Sequence, residues 1–260
     1  MDRLENLVQN KTIGVMLHGK SIEELENRIE LFKNLDIVWV SLNAFDIMET
    51  YILNKINKKL DIIFCLAHFW PEIEKNIRIP ALINAIKNGT LVIAKKYLFD
   101  SIFPESKFPD IYDQYEKSIL LIEDIINQDN KSLADILLVY TVSSLGYILC
   151  VLSILKAKQI ILFGCDGALF NDLNSYYKSE RLLERRVVFP NKLTDYPDGY
   201  LISLKSDTEI LNTDFFNTYL TCMNKFNMPL VPILNCSPNS YITAFPLITY
   251  DNLLKEYLCL

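Results

Sequence analysis

Glycine is scarce in this chain, seven in 260 residues, and histidine is scarcer, with only His18 and His68. So little glycine excludes collagen-like and low-complexity classes. It also leaves no G-x-G-x-x-G fingerprint and no P-loop, whose upstream glycine is missing before His18-Gly19-Lys20-Ser21. Positive charge is short as well: 26 Lys and Arg stand against 32 Asp and Glu, a net charge of −6. No dominant basic field is left to neutralise phosphates, so nucleic acid is not an expected partner. None of the six cysteines, at positions 65, 150, 165, 222, 236 and 259, forms a C-x-x-C pair. Dispersed thiols in apolar surroundings suit a cytoplasmic protein better than a disulfide framework or a zinc site. The first residues, MDRLENLVQNKTIG, carry acidic side chains and no long apolar run, so a secretory signal is not expected.

What is present is hydrophobic bulk. Half of the residues are apolar, enough for one large α/β domain over 1–260. One uncharged, mostly apolar run, Ile136 to Leu155, has the length of a bilayer span. Thr141, Ser143, Ser144 and Gly146 break its first half, where they suit a loop entering a helix near Leu145. The helix left over is too short to span a bilayer, and Gln159–Phe163 follows it as a strand. A buried helix packed on a parallel sheet is therefore expected, not a transmembrane segment.

Taken in order, Thr12–Leu17 reads as a strand, the His18–Ser21 turn follows, and Ser21 with Glu24 forms a capping box for a helix. Strand, turn and capped helix is how an α/β sheet offers N–H groups to a phosphate, although an ordinary β–α turn accounts for the same residues. Asp36–Ser41 is a second strand leading to Asn43, and Asp61–Leu66 a third leading to His68. Both polar residues stand where a strand end meets a ligand in such folds; a turn former and a packed histidine are the plainer readings. Helices are expected over 46–56, 80–88, 118–127, 207–227 and 249–257, and further strands over Thr90–Ala94 and Leu230–Leu234. Gly164-Cys165-Asp166 closes the strand Gln159–Phe163. The polar stretch that follows, with Tyr176, Tyr177, Arg181, Arg185 and Arg186, reads as an inserted lid over 167–208. The expected fold class is a Rossmann-like, mostly parallel sheet flanked by helices.

The succession HGKSI, SLNAF, FCLAHFW, TVSSLGYILCVLSILKAKQIILFGCDGAL, NTD and NCSPNS resembles the bacterial sialyltransferases of glycosyltransferase family 42, over roughly Thr12 to Leu254. It also resembles the related domain of MptE-like 6-hydroxymethylpterin diphosphokinases. The first resemblance implies a CMP-sugar donor held by His18, Gly19, Ser21, Asn43, Thr141, Ser143, Ser144, Gly164 and Asp166. The acceptor would be a glycan or small-molecule hydroxyl. It further implies lid tyrosines on the departing phosphate, here Tyr176 or Tyr177, while Ala168 stands at the other tyrosine's place. The base implied is a lid histidine ahead of Asn-Thr-Asp, where this chain carries Glu209. Glutamate reaches a pKa near 7 only through desolvation, so His18 and His68 stay open as alternatives. No cofactor is required for that transfer. The second resemblance implies diphosphate transfer from ATP with Mg²⁺, for which Asp166 is the one well-placed ligand. A non-catalytic nucleotide- or sugar-binding module is the reading from another class. Peripheral membrane association and homo-oligomerisation are left open.

Overall fold

A computed structural model describes residues 2–17, 21–42, 46–66, 72–94, 99–100, 103, 118–122, 144–166, 219–221, 223–224, 227, 230–237, 240 and 242–258. In chain order the elements are α1 (Asp2–Val8), β1 (Thr12–Met16), α2 (Ile22–Arg28) with a 3-10 turn (Ile29–Phe32), β2 (Ile37–Leu42) and α3 (Asp46–Asn54). Then come β3 (Ile62–Cys65), α4 (Glu72–Lys87), β4 (Leu91–Ala94), β5 (Ile119–Leu121), α5 (Ser144–Ile154), β6 (Gln159–Phe163), β7 (Ile233–Asn235) and α6 (Tyr250–Leu258). The seven strands form one sheet in the order β5-β4-β3-β2-β1-β6-β7, and every pairing is parallel. The expected α/β class is what the chain adopts.

The strands are near-continuous apolar runs because both faces of the sheet are covered. Ile13, Val15, Val38, Val40, Ile62, Phe64, Ile160 and Leu162 point to one face, under α1 and α5. Met16, Trp39, Ile63, Cys65, Ile161 and Phe163 point to the other, under α2, α3, α4 and α6. The period of two thus sorts each strand between two cores. α5 is buried from Leu145 to Ser153, as expected of a helix apolar on all sides. It has only 11 residues, about half a bilayer's length. No helix among the described residues is long and apolar enough to cross a membrane.

Four expectations need correction. The run 118–127 contributes strand β5, paired in parallel to β4, where a helix was expected. A short apolar run has no period of its own, and the open edge of β4 decides the matter. α4 begins at Glu72, so Pro80 lies inside it rather than opening it; its ring is on an exposed face. Asp2–Val8, given no element from sequence, is a helix that buries Leu4 and Val8. The last strand starts at Ile233, leaving Leu230 exposed ahead of it. The expected lid at 167–208 lies outside the described residues, as do the first part of the long uncharged run and most of 207–227.

Gly14 sits opposite Trp39 in the β1–β2 register. A Cβ there would stand 2.9 Å from the Trp39 ring and 2.9 Å from Ile37 Cγ2. The bare backbone lets the indole lie across β1 and pack on Phe163, ring centroids 5.6 Å apart. Replacing Gly14 by Ala should therefore cost about 1–3 kcal/mol through overpacking. Denaturant unfolding reads this as a lower midpoint at unchanged slope.

Candidate functional site

β1 to β5 step outward in one direction, while β6 and β7 lie on the other side of β1. The order reverses between β1 and β6, and their carboxyl ends therefore feed loops that part from each other. In open parallel sheets ligands bind at this place. The strands preceding His18, Asn43 and His68 (β1, β2 and β3) all end at this edge. Gly164 brings β1 and β6 together here. Its φ is +70°, and a Cβ would stand 2.5 Å from the Leu17 carbonyl oxygen, so only glycine fits.

Across that junction Ser21 donates its backbone N–H to Asp166 Oδ2 at 2.7 Å and its hydroxyl to Asp166 Oδ1. The expected capping box does not form, for Ser21 makes no side-chain cap bond and has helical φ and ψ. A carboxylate is the stronger acceptor and takes the hydroxyl. Ser21 Oγ also lies 3.0 Å from Ser237 Oγ. A carboxylate oxygen accepts, so the proton of Ser21 goes to Asp166 and Ser237 supplies the proton between the two hydroxyls.

Ser237 in turn accepts the Cys165 N–H at 2.9 Å. Behind it, buried Asn235 donates to the Cys165 carbonyl at 3.1 Å and to Ser240 Oγ at 3.0 Å. Ser240 donates to the same Cys165 carbonyl at 2.6 Å. The backbone after β6 is thus fixed on both sides of Cys165 by side chains from the end of β7 and the segment after it. Burial, helped by nearby Asp166, pushes the Cys165 thiol up to about 12, and burial pushes Cys236 up to about 12. Neither is a thiolate at neutral pH, so these cysteines pack rather than attack.

Of the residues expected at the site, Ser21, Gly164 and Asp166 converge here. Ser144 opens α5 at the same edge but on the opposite face of the sheet from α2. His18, Gly19, Asn43, His68, Thr141, Ser143, Tyr176, Tyr177 and Glu209 lie outside the described residues. Asn235, Ser237 and Ser240 were not expected as site residues. The signal for them was a cluster of small polar side chains directly after the last apolar strand.

No protein-family profile matches the chain, and no curated protein matches its sequence. Among solved structures it is similar to the monofunctional alpha-2,3-sialyltransferase Cst-I from Campylobacter jejuni, at 15% identity and a TM-score of 0.53. The match covers 93% of this chain and 82% of that one. A likeness at this identity shows a shared fold.

Removing the Ser237 hydroxyl would leave the buried Cys165 amide without its acceptor. Ser237→Ala should cost about 1–3 kcal/mol. Ser237→Thr, which keeps the hydroxyl, should recover most of that in the same denaturant titration.

Proposed function

We propose that this protein is a glycosyltransferase that moves a sugar from a nucleotide-activated donor, a CMP-sugar by preference, to an acceptor hydroxyl. The observation that carries the reading is the Ser21–Asp166 junction at the strand-order reversal of the sheet. It stands in a fold similar to that of a solved sialyltransferase. In this reading Ser21 gives its N–H and O–H to Asp166, and so holds that carboxylate at the donor's edge instead of touching the donor itself. His18, Gly19, Asn43, Thr141, Ser143 and Ser144 belong to the loops and helix start around the nucleotide.

The reaction would be a direct displacement. The acceptor oxygen forms the new bond to the anomeric carbon, the bond from that carbon to the phosphate oxygen breaks, and the nucleotide leaves with the electron pair. Glu209 takes the acceptor proton, with His18 and His68 as the other candidate bases. Tyr176 and Tyr177 donate to the leaving phosphate. The transfer as proposed needs no metal. The four described cysteines are buried, and we place the reaction in the cytoplasm.

Thermal denaturation with CMP, UMP, GDP and ATP, with and without Mg²⁺, tests the donor class. CMP alone should raise the melting temperature most. A rise with ATP only when Mg²⁺ is present would replace this reading by diphosphate transfer, and no rise with any nucleotide would refute it. Once a donor is turned over, Glu209→Gln should lower kcat by about 10²–10⁴-fold with little change in nucleotide affinity. Unaltered turnover would remove Glu209 as the base. Binding without turnover by the wild type would mark a non-catalytic module.

A further inference from the structure

The carboxyl edge of the sheet faces the proposed site; the opposite edge carries a charge pattern that site does not use. All strands run parallel, so the turns that enter them gather at one amino edge. The turns into β4, β3, β2, β1 and β6 bring Lys87, Lys58 and Lys59, Lys33, Lys11, and Lys156 with Lys158. These strands are neighbours in the sheet, so the lysines form a row about 20 Å long at the usual strand spacing. Lys33, Lys59, Lys87, Lys156 and Lys158 are exposed. Among the described residues Lys33, Lys58, Lys87, Lys156 and Lys158 have no ion-pair partner.

Among the described residues the acids on this side do not cancel the row. Asp36 is taken by Lys11 at 2.7 Å, and Asp61 turns inward to accept the Trp39 N–H at 2.8 Å. Glu26 of α2 is taken by Lys55 at 2.7 Å, which leaves Asp2 and Glu5 of α1 and Glu30 of the 3-10 turn among the described carboxylates near the row. A basic strip on a chain of net charge −6 is a local concentration, since Glu23, Glu24 and Asp166 stand at the other edge. Lysines at helix C-termini also complement the helix dipole, which accounts for Lys33, Lys87 and Lys156. It does not account for Lys11, Lys58, Lys59 and Lys158, which stand on the strand side of their turns.

A second feature lies beside the row. Only three large hydrophobic side chains are prominently exposed among the described residues: Leu31, Leu230 and Leu247. Leu31 is 51% exposed on the 3-10 turn leading to Lys33, and Leu230 is 55% exposed on the approach to β7, next to the β6 turn. Two of the three therefore flank the basic edge.

We propose that this amino edge docks on a membrane surface carrying anionic lipids. Lysines on short turns act as point charges suited to a diffuse negative surface potential, and flanking leucines gain by entering the headgroup region. Nucleic acid fits less well, because these turns carry no aromatic side chain for base stacking, and Arg3, which lies against the turn into β4, spends its guanidinium on the Gly89 carbonyl and Ser118. The proposal is independent of the donor-site reading. Docked this way, the carboxyl edge faces away from the membrane.

Co-sedimentation tests it, with vesicles of phosphatidylcholine alone and of phosphatidylcholine mixed with phosphatidylglycerol. The protein should pellet with the mixed vesicles only, and raised salt should release it. The combination Lys33→Glu, Lys58→Glu and Lys158→Glu should lower partitioning at least about tenfold. The milder Gln combination at the same positions should lower it less while keeping the melting temperature. Leu230→Ser should weaken binding and Leu247→Ser should not. The proposal is overturned by failure to pellet with the mixed vesicles, or by equal binding to both kinds. A folded Gln combination that binds like wild type overturns it too. So does binding to a nucleic-acid duplex, but not to vesicles, through the same lysines.

Discussion

One carboxylate held by a neighbouring strand's loop joins the parts of this molecule that its topology drives apart. The connections after β1 and β6 leave in opposite directions, and Asp166, gripped through the N–H and O–H of Ser21, ties them across the gap. Hydrogen bonds to a charged group contribute about 1.5–3 kcal/mol each. Here they also set a geometry, because a bidentate grip fixes the carboxylate in orientation as well as in place.

The junction does not stand alone. Ser237, Asn235 and Ser240 reach it from the far side of β6, so the last strand's loop supports the first strand's loop through the backbone of Cys165. The two segments are joined again at the surface. Arg28 of α2 meets Asp251 of α6 at 2.5 Å and Glu24 at 3.4 Å, and lies over the Tyr250 ring. Such exposed pairs add little stability. The strength between these helices comes from the rings beneath: Phe32 and Phe163 pack edge-on with centroids 5.7 Å apart, and Tyr250 closes the cluster against both. The aromatic packing holds the helices, and the polar network then sets the loops above them.

Most of the sheet was legible in the sequence, for a definite reason. β1, β2, β3, β4 and β6 are buried on both faces, so each reads as an unbroken apolar run with a turn at either end. Readings failed where tertiary contacts outweigh local preference. Three residues of β5 are a strand because β4 offers an edge. Ser21 looks like a cap until Asp166, 145 residues away, takes its hydroxyl. Part of the junction was legible for a similar reason: glycine and aspartate after an apolar strand mark a tight turn, and Gly164 and Asp166 join β6 to the loop after β1. Ser237 was not, since the small polar cluster after the last strand does not say which of its side chains turns toward Cys165 and Ser21.

Amide-resolved hydrogen exchange with and without CMP tests the central claim most directly, that the β1–β6 junction is where a nucleotide is held. The account predicts slower exchange over residues 17–28, 164–166 and 235–242, the last through Ser237 although it belongs to another strand. Protection confined to the amino-edge turns or to β4 and β5, with those three stretches unchanged, would contradict it.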